Sequence, residues 1–125
     1  MNDEIVLVDA NIMLRYLLND VEDQARQARE IIQGGRAYSY PEVLAEVIYV
    51  LTNSYGYTRT EIGTAMRALL DDMYFYDRGV LITAFNFYEY ANVDFVDALL
   101  IGRAIVNGEQ VATFNKKVSR ILGEV

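Results

Sequence analysis

The sequence predicts an α/β protein built around a central parallel sheet. Two observations carry that expectation. Short apolar runs rich in β-branched residues alternate along the chain with longer segments of helical spacing. The chain has 125 residues, 53% of them hydrophobic, which is enough to bury a core as one domain over 1–125 without disulfides or a structural metal. A single proline argues against a disordered tail, and no repeat, linker or low-complexity segment interrupts the pattern.

Ile5-Val6-Leu7-Val8 is fully apolar and reads as a buried strand, parallel to its neighbours. It stops at Asp9-Ala10-Asn11, beyond which Ile12, Met13, Tyr16 and Leu17 take up helical spacing. A second helix fits residues 22–33 and is closed by Gly34-Gly35. Residues 36–40 make a second strand. Pro41 suits the first turn of a helix running to about Ser54, with Gly56 beyond its end. Thr58-Arg59-Thr60-Glu61 has capping-box spacing and opens a helix to about Asp71. Residues 73–77 read as a short strand. Val80-Leu81-Ile82 alone suits a strand, but Leu81, Phe85 and Tyr88 keep helical spacing, so 79–90 reads as helix. A strongly apolar helix runs from Asn92 or Val93 to Asn107, with Gly108 at its exit. Residues 110–113 form a final short strand, and 116–122 a last helical turn or two.

Composition excludes several chemistries. With no cysteine there is no disulfide framework, thiolate zinc site or cysteine nucleophile. With no histidine there is no Ser-His-Asp triad, imidazole base or HExxH zinc helix. Acid–base work falls to carboxylates, Tyr, Lys, or water on a hard cation. The opening Met1-Asn2-Asp3-Glu4 is negative where a secretory signal is positive, and no apolar run approaches the ~18 residues of a membrane span. A soluble, cytoplasmic protein is the expectation.

Three carboxylates stand out. Asp9 lies where the first strand stops and a helix begins, at the carboxyl end of a parallel sheet, where ligand sites concentrate. As an N-cap it needs no further role, and Asn11 could cap equally well. Glu46 falls at the edge of the stripe formed by Val43, Leu44, Val47, Ile48, Val50 and Leu51; a boundary glutamate is often simply solvated. Asp97 lies on a helix apolar in nearly every direction, between Ala104 and Ile101, with Asp94 beyond Ile101. A buried carboxylate there costs several kcal/mol unless paired, and Arg103 projects about 120° away, so a partner must come from elsewhere. An acidic pair favoured by the helix dipole explains Asp94 well and Asp97 poorly. If these elements converge, like charges crowd one cleft and call for a cation. Without His or Cys, that cation is a hard, oxygen-bound ion such as Mg²⁺ or Mn²⁺. Such an ion can activate water against a phosphodiester.

Four segments carry a family resemblance. Val8-Asp9-Ala10-Asn11-Ile12-Met13-Leu14-Arg15-Tyr16-Leu17-Leu18-Asn19-Asp20 resembles the opening motif of PIN domains, in particular the VapC-type toxin ribonucleases. Pro41-Glu42-Val43-Leu44-Ala45-Glu46-Val47 resembles their second acidic motif, with Glu46 in the acidic position. Asn92-Val93-Asp94-Phe95-Val96-Asp97-Ala98-Leu99-Leu100 resembles the third, with Asp97 matching, and Val111-Ala112-Thr113-Phe114-Asn115-Lys116-Lys117 resembles the last. The four are in order and cover essentially the whole chain. Asn115 departs from the pattern, because the family usually has aspartate there.

The resemblance implies a three-layer α/β/α fold and Mg²⁺- or Mn²⁺-dependent endoribonuclease activity. For the toxin branch it also implies a small antitoxin protein that occludes the cleft, and often a homodimer. Asp9 and Asp97 would be direct metal ligands and Glu46 a ligand or water-positioning base. Asn11 and Thr113 would be hydrogen-bonding support. Asp94 is a fourth carboxylate if it turns inward. The Asn115 side-chain oxygen can bind a cation or its water but brings no charge, so the site is either complete with a tolerated substitution or partly degenerate.

Eleven Lys+Arg against eighteen Asp+Glu give a net charge of −7, which opposes nonspecific binding to polyanions. Arg15, Lys116, Lys117 and Arg120 flank the first and last motifs, where they can contact RNA phosphates or form only a solvated face. Tyr74, Phe75, Tyr76, Phe85, Phe87, Tyr88 and Tyr90 crowd one segment, which suits core packing, a dimer or antitoxin surface, or RNA base stacking. A non-catalytic PIN module that binds a protein or RNA is the alternative that Asn115 motivates. A response-regulator-like phosphoacceptor fits less well: the first strand lacks a following acidic pair, and no lysine ends a strand before Lys116.

Overall fold

A computed structural model describes residues 4–123 of the chain. The chain divides after Tyr76 into two compact units. The first carries, in order, β1 (Val6–Leu7), α1 (Ala10–Leu18), α2 (Glu22–Gln33), β2 (Ala37–Ser39), α3 (Pro41–Tyr55), α4 (Arg59–Asp72) and β3 (Tyr74–Phe75). The second carries α5 (Arg78–Tyr90), α6 (Phe95–Asn107) and α7 (Lys116–Gly123).

In the first unit the strands form a parallel sheet in the order β1-β2-β3, with Leu7 opposite Tyr38 and Ser39 opposite Phe75. Alternation sends Ala37, Ser39 and Phe75 to the buried face. Tyr38, Tyr40, Tyr74 and Tyr76 meet edge to face or, for Tyr40 and Tyr76, stacked at 4.9 Å between ring centres. Ser39 is a buried polar side chain whose hydroxyl donates to the Val8 carbonyl at 2.9 Å. That bond extends the tie between β2 and the first segment to the residue immediately before Asp9. α1 packs against α2 and α3, and Tyr16 anchors it further: its hydroxyl donates to Asp72 at 2.6 Å and accepts from Gln33 at 3.3 Å.

Local sequence accounts for the helix ends. Pro41 opens α3, where its missing N–H costs nothing, and Gly56 closes it at φ 68°, a left-handed conformation that favours glycine. Thr58 and Glu61 make a reciprocal capping box at α4. In the second unit α5 and α6 pack together, with Phe85 stacked on Phe95 at 5.9 Å and Tyr88 edge-on to Phe95. α7 packs on α6 and buries Val118. No helix among the described residues is long and apolar enough to cross a membrane.

Three expectations need correction. The apolar run at the start is not a buried strand: Ile5, Val6 and Leu7 are 63%, 45% and 54% exposed, and only Val8 is buried. β1 is the edge of the described sheet, and an apolar run does not itself say which faces are covered. Residues 110–113 form no strand; among the described residues the backbone from 108 to 115 is neither helix nor strand. Finally, α6 starts at Phe95 rather than Asn92 or Val93, because Asp94 caps it. The aromatic segment is mixed: Phe75, Phe85 and Tyr88 are core, whereas Tyr74, Tyr76 and Tyr90 are exposed.

Candidate functional site

The first unit holds Asp9, Asn11, Arg15 and Glu46. The backbone at Asp9 is still extended, and its Oδ1 accepts from the Ile12 N–H at 3.0 Å, so the residue caps α1. Of the two capping candidates the structure uses Asp9; Asn11 is exposed in the first turn. A cap occupies one carboxylate oxygen, and Asp9 as a whole is exposed. Glu46 lies on the exposed side of α3, away from the buried residues Leu44, Val47, Ile48 and Leu51. Since α3 packs against α1, both carboxylates belong to adjoining elements. Arg15 is half-buried and its guanidinium pairs with Asp20 at 3.0 Å, while its Nε is buried without a partner among the described residues.

The second unit gathers the motif residues of its two segments into one hydrogen-bonded group. Asp94 caps α6, its Oδ1 accepting from the Asp97 N–H at 2.8 Å. Asp97, in the first turn, is half-buried, and its Oδ2 accepts from the Asn115 side-chain amide at 3.1 Å. Burial first, and the neighbouring Asp94 carboxylate second, push the Asp97 carboxyl above its ordinary range; the Asn115 N–H opposes them. Asn115 is itself a cap: its Oδ1 accepts from the N–H groups of Lys117 at 2.9 Å and Val118 at 3.2 Å, and its carbonyl from Ser119. Thr113 supports it, since the Thr113 hydroxyl oxygen accepts from the Asn115 N–H at 3.0 Å. Lys117 donates to the Asn92 carbonyl, whereas Lys116 and Arg120 are exposed. Arg103 pairs with Asp77 and Glu109, in keeping with its direction away from Asp97.

Sequence spacing predicted that Asp97 needs a partner from another element but did not identify it. The partner is Asn115, eighteen positions on. Ser39 was also missed as a support behind Asp9. Its one sequence signal is a hydroxyl at the end of a strand that otherwise faces the core.

Within each unit, no group of three or more acidic side chains among the described residues is arranged to hold a metal ion. The candidate donors nevertheless fit a hard divalent cation in kind, since they are carboxylate oxygens in a chain with no histidine or cysteine. The Asp94 carboxylate disfavours the charge on Asp97, a cost that a bound cation would relieve.

In open parallel α/β sheets ligands bind beyond the carboxyl ends of the strands, and Asp9 stands just past the end of β1. A family model for the PIN domain matches residues 6–123, and the chain belongs to the PIN domain family. No curated protein and no solved structure matches it. PIN domains are generally nucleases that use divalent metals, and a helix-rich α/β fold with a three-stranded parallel sheet agrees with their three-layer α/β/α architecture.

Proposed function

We propose that the chain is a Mg²⁺- or Mn²⁺-dependent endoribonuclease, the toxin of a VapC-type toxin–antitoxin pair. In this reading it acts as a homodimer held in check by a small antitoxin protein, and the chain is a single PIN-like domain over 1–125. The observation that supports it most is the family match across 6–123; the segments around Asp9, Glu46 and Asp97 resemble the acidic motifs of that family.

The candidate metal ligands are Asp9 in the first unit and Asp97 in the second, with Glu46 as a further ligand or as the base that orients water and Asp94 as the reserve carboxylate. Bound there, the cation supplies activation of water and charge for the leaving oxygen. The chain's own residues set the rest. Ser39 steadies the backbone before Asp9 through Val8. Asp94 steadies the backbone of Asp97. Thr113 steadies Asn115. Lys116 and Arg120 are exposed for phosphate, Lys117 reaches it only by releasing Asn92, and Arg15 only by sharing Asp20. With a net charge of −7 the bulk of the protein repels RNA, which favours a particular RNA over RNA in general.

A second reading, a non-catalytic PIN module that binds a protein or RNA, is favoured by Asn115, whose amide rather than a carboxylate faces Asp97. One experiment separates the two. Pooled cellular RNA is incubated with wild type and with Asp97→Ala, in Mg²⁺, Mn²⁺ or chelator. Metal-dependent cleavage that Asp97→Ala abolishes supports the nuclease; RNA retention without cleavage under any condition supports the binding module.

A further inference from the structure

We propose that Asn115 is a positioning residue whose side-chain amide holds Asp97 in the place a cation would take, so that this chain keeps Asp97 fixed without metal and binds divalent ions more weakly than an aspartate at 115 would allow. The inference deepens the metal-dependent reading above and rests on it for the role of Asp97.

The orientation of the amide is fixed by its other end. Oδ1 accepts from both Lys117 and Val118 at the start of α7, and only an oxygen can do so. The NH₂ group therefore faces Asp97, 3.1 Å from Oδ2. The Asn115 oxygen, which on sequence grounds could bind a cation, is instead occupied by two backbone N–H groups. A cation seeking Asp97 Oδ2 meets a competing donor. The Thr113 hydroxyl, accepting from the Asn115 backbone N–H, fixes the same residue from behind.

Aspartate at this position reverses the contact. One carboxylate oxygen caps α7 as well as the amide oxygen does, and the other faces Asp97 Oδ2. A donor–acceptor pair becomes two acceptors, both charged, a contact that a cation or a proton must bridge.

Calorimetric titration of metal-free wild type, Asn115→Asp and Asn115→Ser with Mn²⁺ tests this, alongside thermal melting without metal. Asn115→Asp should bind Mn²⁺ at least roughly tenfold more tightly than wild type, a modest charge effect at such a distance. It should melt lower than wild type when metal-free and recover as Mn²⁺ is added. Serine caps α7 but is too short to reach Asp97, so Asn115→Ser separates loss of the cap from the like-charge contact. Equal Mn²⁺ midpoints for wild type and Asn115→Asp overturn the proposal. If that happens while the wild type binds Mn²⁺ and cleaves RNA, this proposal alone fails. If the wild type neither binds nor cleaves while Asn115→Asp binds Mn²⁺, the role of Asn115 stands and the ribonuclease reading fails.

Discussion

Gly102 lies within α6 where that helix meets α5, and adding one methyl group there measures how closely the two are packed. A Cβ at this position would stand 2.7 Å from the Val80 carbonyl oxygen and 3.2 Å from Val80 Cγ1. Carbon and oxygen ordinarily approach no closer than about 3.3 Å, so the methyl arrives more than half an ångström too close. The obstructing atom is helix backbone, which cannot rotate aside as a side-chain tip can. The helices must part or bend, at about 1–3 kcal/mol for overpacking. Alanine returns up to ~1 kcal/mol of helix propensity. The net expectation for Gly102→Ala is a loss of about 1–2 kcal/mol, a fall in Tm on the order of 4–8 °C for a domain of this size. Gly79→Ala is the matched control: its Cβ would meet Val106 Cγ1 at 3.5 Å, an ordinary contact. That variant should be neutral or slightly more stable. Urea and thermal unfolding of both variants give the answer. A Gly102→Ala protein as stable as wild type would mean that the approach of α6 to α5 is looser than these distances require.

Two further perturbations follow from the caps. Asp9→Ala should cost about 1 kcal/mol by removing the acceptor for Ile12, while Asp9→Asn keeps that acceptor and should melt close to wild type; if Asp9 is a metal ligand, Mn²⁺ calorimetry should show weakened binding in both. Glu61 offers a pH test. Its carboxyl sits below the usual range because it accepts from the Thr58 backbone N–H and engages the Thr58 side chain. A depressed native value stabilises the fold above the ordinary carboxyl range and loses that contribution as pH falls through the native value. The stability gap between wild type and Glu61→Gln should therefore be widest near neutrality and close in acid. A gap constant with pH would show that the charge on Glu61 contributes nothing.

Much of the fold is legible in the sequence because helix boundaries are written locally. α2 begins and ends where spacing and Gly34 put it, and Thr58 caps α4 as its capping-box pattern requires. α5 is a helix, since Leu81, Phe85 and Tyr88 are buried at helical spacing. The misreadings share one cause. A strand is defined by its neighbours, and neither the apolar run before Asp9 nor residues 110–113 carries any sign of what lies beside it. The candidate site divides in the same way. Position makes Asp9 a cap candidate without deciding between it and Asn11, and the cap at Asp94 is hidden when the helix start is read at Asn92 or Val93. The partner of Asp97 could not be read from α6, because it comes from the turn before α7 and its direction depends on which end of an amide the α7 backbone selects.

The candidate residues also share a structural duty that changes how variants must be interpreted. Asp9, Asp94 and Asn115 each start a helix, giving one side-chain oxygen to backbone N–H groups of α1, α6 and α7. A helix start is a partly positive environment that favours an anionic side chain, so the fold itself supplies part of the compensation that the acidic residues need. Asp97 stands apart. It offers no cap of its own, it is half-buried, and its proton affinity is raised by burial and by Asp94. Besides its place in the first turn of α6 it has the Asn115 amide. The acidic residues are thus of two kinds. Alanine at a capping position removes structure together with charge, and only the matching amide isolates the charge. At Asp97 there is no cap to lose, so the charge and the single bond to Asn115 account for what substitution takes away. Asp97 is accordingly the position at which the proposed metal binding can be tested most directly apart from loss of fold.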